Sequence, residues 1–154
     1  MTAASAVAID LDGALCDTGE LWRDWLDSVS GLFGLDVSAL PRDRGEAAAE
    51  LDREGAGNWR TLLERFGEER AAVYLRRDPA VSAALRSLSA SAREIGVFTD
   101  APEVLAQVAL DQLGATRRVT VLETGSGALD RLLERLGAGT IVVRARPELL
   151  ELAA

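Results

Sequence analysis

From residue 92 onward the chain alternates without exception. EIGVFT (94–99), RRVTVLE (117–123) and TIVVRA (140–145) are short, β-branched apolar runs. Between and after them lie APEVLAQVALDQLG (101–114), GALDRLLERLG (127–137) and RPELLELAA (146–154), each with helical periodicity. Strands that are apolar on both faces and separated by helix-length segments fit a parallel sheet covered by helices. One more such run, SAVAIDL (5–11), stands far upstream. From Thr18 to about Ala92 the pattern is helical throughout. ELWRDWLDSVSGLF places Leu21, Trp25, Val29 and Leu32 on one face, with Trp22 beside them. EAAAELDRE follows as a weaker helix. NWRTLLERFG opens on Asn58 as an N-cap and closes on Gly67, and EERAAVYLRR precedes a helix that starts at Pro79. The expected fold is α/β: a Rossmann-like parallel sheet with flanking helices, interrupted after its first strand by an all-helical insertion. The core is residues 1–17 and 92–154, and the insertion is 18–91.

In open parallel sheets, ligands bind at the carboxyl ends of the strands. The sequence puts Asp10 and Asp12 at the first such end, Thr99 and Asp100 at the second, Glu123 and Thr124 at the third, and Arg144 at the fourth. Side-chain alternation turns Asp10 and Asp12 to the same side, where two like charges raise one pKa. A divalent cation, or a bound phosphate with donors, would relieve the conflict. One carboxylate could then attack phosphorus while its neighbour moves the proton. The competing reading of D-x-D-G is a plain turn in which an aspartate caps the next loop.

Composition removes other chemistries. Histidine is absent and Cys16 is the single cysteine, which excludes His-based catalysis, a thiolate zinc cage and an internal disulfide. A bound metal would be a hard ion held by carboxylates, magnesium first. The net charge of −8 concentrates in residues 1–40, which hold seven acids and one base; no basic stripe suits a nucleic acid. No apolar run is long enough to span a membrane, and MTAASAVAID lacks the basic region of a signal peptide, so a cytoplasmic location is expected. All 17 basic residues are arginine, so a motif that elsewhere carries lysine would carry arginine here.

The stretch AIDLDGALCDT resembles the first motif of the haloacid dehalogenase (HAD) superfamily of phosphohydrolases: Asp10, Asp12, Gly13, Leu15, Asp17 and Thr18 match, and Ala14 replaces a threonine. IGVFTDAP is similar to the second motif, with Thr99 in place. The helical insertion lies where the phosphoglucomutase-like branch carries its cap. The resemblance implies that Asp10 is the nucleophile, Asp12 the general acid/base, and Thr99 a hydrogen-bond donor to the phosphoryl group. Asp100 and Arg144 become candidate substrate contacts. Magnesium would sit on the Asp10 carboxylate and the Asp12 carbonyl. The third and fourth motifs depart from the pattern. Glu123 stands where a lysine belongs, Arg144 at a glycine, Ala145 at the metal-binding aspartate, and Glu148 one residue before the second acid's place. These losses imply weak magnesium binding and weak or absent turnover, because removing one charge-stabilising donor costs on the order of 10²–10³ in rate. Arg144 is left to bind phosphate, to pair with Asp10, or to lie in solvent. Two functions follow: a phosphatase acting on a small phosphorylated metabolite through an aspartyl-phosphate, or a domain that has lost catalysis and binds a ligand or protein partner. The family's fifth strand has no counterpart, which leaves a sheet edge through which a homodimer could form.

Overall fold

The structure, a computed structural model, describes residues 5–154. Four parallel strands form one sheet in the order β3-β2-β1-β4: β1 (Val7–Asp10), β2 (Ile95–Thr99), β3 (Val121–Thr124) and β4 (Ile141–Val143). Val7 pairs with Ile95 on one side and with Ile141 on the other, so the first strand is central. The strands are shorter than their apolar runs; β1 stops at Asp10 because the chain turns there into a wide, irregular loop over Leu11–Leu15.

Helices α1 (Gly19–Phe33), α2 (Arg44–Arg53), α3 (Trp59–Tyr74) and α4 (Pro79–Ala90) separate β1 from β2. They do not share one core. Leu21, Trp25, Leu51, Trp59 and Leu63 of α1–α3 pack together and reach Ala101 and Leu105 at the start of α5 (Glu103–Leu113). Trp25 stands between Trp22 and Trp59, with ring centroids 5.3 and 6.0 Å away, so the three tryptophans are core. Val81, Leu85 and Leu88 of α4 instead bury against Ile9, Ile95 and Val97 of the sheet, beside α7 (Arg146–Ala153). The opposite sheet face is covered by α6 (Ala128–Leu136), whose Leu132 packs on Ala8 and Phe98. Gly96 lets that helix come close: a Cβ there would lie 2.6 Å from Leu132 Cδ1.

Three local expectations change. Gly67 does not end a helix; it lies inside α3, where a Cβ would stand 3.2 Å from Val108 Cγ1, and it serves close packing on α5. Asn58 precedes α3 without a side-chain capping bond. Leu32, placed by periodicity on the buried face of α1, is 71% exposed, while Phe33 beside it in the last turn packs against the α1–α3 core. No helix among the described residues is long and apolar enough to cross a membrane.

Candidate active site

The loop after β1 folds tightly because Gly13 adopts φ 109°, and a Cβ there would stand 2.6 Å from the carbonyl oxygen of Arg144. Only glycine tolerates both demands. Asp10 Oδ1 accepts from the Asp12 amide at 3.2 Å. Asp12 Oδ1 accepts from the amide and the hydroxyl of buried Thr18, both at 2.7 Å. Its Oδ2 accepts from Thr99 Oγ1 at 3.1 Å. The structure thus places Asp10, Asp12 and Thr99 side by side, with the Thr99 hydroxyl donating to Asp12.

A fourth residue, missed by that reading, occupies the centre. Arg44, the first residue of α2, is buried and sends its guanidinium into the acid cluster. Its Nη2 donates to Asp12 Oδ2, and its Nη1 to Thr18 Oγ1 at 2.6 Å. Its Nε donates to Asp100 Oδ1 at 2.9 Å and its backbone amide to Asp100 Oδ2 at 3.0 Å. Asp43 caps α2 by accepting from the Glu46 amide at 2.9 Å, and it accepts a second bond from Ser126 Oγ at 2.6 Å. Gly45 permits this docking, since a Cβ would fall 2.2 Å from Ser126 N. The start of α2 is therefore seated on the β3–α6 loop, with Arg44 aimed inward. The spacing Asp43-x-x-Glu46 is a capping signal that marks Arg44 as a first-turn residue; nothing local says where that turn lands.

The electrostatics follow from these contacts. Burial, and then the charge on Asp12, push Asp10 up from 3.8 to about 6. Burial alone would raise Asp12 as well, but Arg44 and the Thr18 donors hold it below the ordinary carboxylate range. Arg44 gains more from Asp12 and Asp100 than it loses to burial, so its pKa rises. Asp12 is thus a committed anion, and Asp10 is the carboxylate without a cationic hydrogen-bond partner. Beside them opens a cleft of about 340 Å³, lined by Asp10, Arg44, Phe98, Gly127 and Asp130.

No family model matches the chain, and no curated protein does. Solved structures do. CbbY from Rhodobacter sphaeroides in complex with phosphate superposes with a TM-score of 0.66 at 16% identity, covering 90% of this chain and 76% of that one. A haloacid dehalogenase-like hydrolase from Streptococcus pneumoniae gives 0.59 at 17%, covering 94% and 76%. An HAD phosphatase from Thermococcus onnurineus gives 0.57 at 18%, covering 92% and 77%. The fold is haloacid dehalogenase-like.

Within the HAD-like fold the third and fourth strand ends differ from the motif pattern in structure as well as in sequence. Glu123 is tied to α6 rather than to the acid pair. It accepts from Arg131 Nε at 3.1 Å and Arg135 Nη1 at 2.8 Å, and these two hold it well below its ordinary value. Asp100, a candidate substrate contact, has both oxygens on Arg44. Arg144 is exposed, with its Cζ 5.7 Å from the Phe98 ring centroid. Its charge lowers Asp10 but makes no hydrogen bond to it, so the tight cation of the site is Arg44 and not Arg144. Cys16 is half-buried, and burial raises its thiol far from reactivity. The donors do not fit magnesium. Among the described residues no three acidic or thiol side chains converge on a point. Of the acids in the cluster only Asp10 is free of Arg44, Ala145 supplies no ligand where the resemblance expects an aspartate, and the guanidinium already sits against Asp12 and Asp100.

Proposed function

We propose that this chain uses the HAD-like fold as a binding domain whose phosphotransfer site is locked by Arg44, and that it does not turn over phosphate monoesters. One observation carries the proposal: the Arg44 guanidinium rests on Asp12, Thr18, Thr99 and Asp100 at once. Asp12 would have to gain and lose a proton to serve as general acid/base. Protonating it means breaking a buried, multiply hydrogen-bonded ion pair. The cation that would neutralise an incoming phosphate already neutralises the protein's own acids. In this reading the insertion 18–91 between the core segments 1–17 and 92–154 supplies a cap through α1–α3, α4 packs on the sheet as part of the core, and α2 is the cap's closed latch. The partner is a small phosphorylated ligand or a protein. A second cleft of about 560 Å³, flanked by Trp22, Leu26, Leu40 and Arg42, opens on the other side of Arg44 and offers such a ligand an apolar wall and charged groups. Magnesium has no part in this function.

A weak phosphohydrolase is the second reading, and Asp10 favours it. Its carboxylate has no cationic hydrogen-bond partner, and at neutral pH a group with a pKa of about 6 is mostly ionised and able to attack phosphorus. The deciding measurement is hydrolysis over a panel of phosphorylated metabolites by the wild type, Asp10→Asn and Arg44→Ala. Equal background rates in all three are expected. Robust wild-type hydrolysis that disappears in Asp10→Asn overturns the locked-site proposal and establishes the second reading.

A further inference from the structure

We propose that a pocket between α4 and the end of α5, which shares no lining residue with the two clefts at the acid cluster, binds a small organic anion: an oxyanion head on a short apolar body. The pocket holds about 200 Å³, below the ~300–1,000 Å³ typical of sites for drug-sized ligands, so its occupant is small. Its apolar surface comes from Leu15, Val81 and Leu113, and its rim from Arg77, Arg86 and Arg118. None of these three arginines takes part in an ion pair among the described residues, although the chain carries 25 acids against 17 arginines. Arg77 gives its Nε to the Gln112 carbonyl at 3.1 Å and lies against Gly114, where a Cβ would come within 3.2 Å of its Cζ. That contact holds one guanidinium at the mouth.

One acid lines the pocket, and it is committed elsewhere. Asp78 accepts from Arg146 Nε at 2.6 Å and from the Ala80 amide at 2.9 Å. Three guanidiniums around one hollow repel one another, and an anion relieves that repulsion with charge-assisted, fork-shaped hydrogen bonds. The leucine and valine floor adds affinity only for a ligand with an apolar body. A bare ion such as acetate satisfies half of the site, and a neutral aromatic amide the other half.

The test is an amide-resolved NMR titration of the full chain with benzoate, acetate and benzamide. Benzoate is expected to saturate in the millimolar range and to move the amides of Ser82, Gly114 and Ala115. Acetate and benzamide should each bind at least about tenfold more weakly. Arg86 and Arg118 are exposed, so replacing both leaves the fold intact; Arg86→Ala with Arg118→Ala should weaken benzoate by about tenfold or more, as loss of a hydrogen bond to a charged group requires. The proposal is overturned if benzoate shows no saturable shifts, if the shifts centre on Asp10 and Thr99, if benzamide matches benzoate, or if the double variant binds as tightly as the wild type.

Discussion

Asp10 and Asp12 lie two residues apart and titrate in opposite directions. Asp10 is raised from 3.8 to about 6 in the folded chain. Between those values the folded protein holds more protons than the unfolded one, so stability falls as pH rises from about 4 to 6 and is level above. Asp10→Asn should abolish that slope and be the more stable protein at pH 7. The gain should be about 1–2 kcal/mol, allowing for the screening of a half-buried group; urea denaturation at several pH values measures it. Asp12 has the reverse sign. Its lowered pKa stabilises the fold at neutral pH, and this contribution is lost as pH falls below the ordinary carboxylate range. Arg44→Ala leaves Asp12 and Asp100 without their cation and should cost about 2–4 kcal/mol. In a double-mutant cycle, Asp12→Asn with Arg44→Ala should show a coupling of about 1–3 kcal/mol. Exposed Arg144→Ala should stay within about 0.5 kcal/mol of the wild type. The acids were legible in the sequence because a strand end presents them together. Arg44 was not, because its partners Asp12 and Asp100 lie 32 and 56 positions away.

Helices α2 and α3 show what periodicity reads and what it leaves out. The existence and type of nearly every element follow from apolar spacing, since burial of one face is a local pattern. Contacts between elements are not local, and two glycines show it. Gly67 looks like a helix end and is a helix–helix contact; Gly45 looks like an ordinary helix-start residue and is the seat of α2 on the β3–α6 loop. Gly45→Ala should therefore cost more than about 2 kcal/mol, despite alanine's better helix propensity, and should loosen Arg44 from the acid cluster. Gly31→Ala is the control. Gly31 lies inside α1 with no heavy atom within 4 Å of the added methyl, so propensity acts alone and the variant should gain about 0.5–1 kcal/mol. Chemical denaturation of the pair checks both signs. If Gly45→Ala proves as stable as the wild type, the latch is not tight.

For the molecule as a whole, the first and second HAD-like motifs and the superposed structures lead to the same fold, because the sheet order is set by strands that the sequence marks clearly. The site's closure was not legible, since it arises where the insertion meets the core. A locked site without a third ligand should ignore magnesium. Addition of millimolar magnesium should leave the melting temperature unchanged, whereas an ion at a hundredfold over its dissociation constant would add about 2.7 kcal/mol. A clear rise at sub-millimolar magnesium would show that Arg44 yields to a metal. β4 lies at the sheet edge, and a homodimer through it remains our proposal, readable as molar mass in light scattering. The central position of β1 has one more consequence, for synthesis. Val7 must wait for Ile95 before it has its first neighbour and for Ile141 before its second. On a ribosome delivering about 5–20 residues each second, an apolar strand stays unpaired for several seconds while the helices form behind it. The nascent chain is therefore most exposed to misassociation, and most in need of a chaperone, before its second strand emerges.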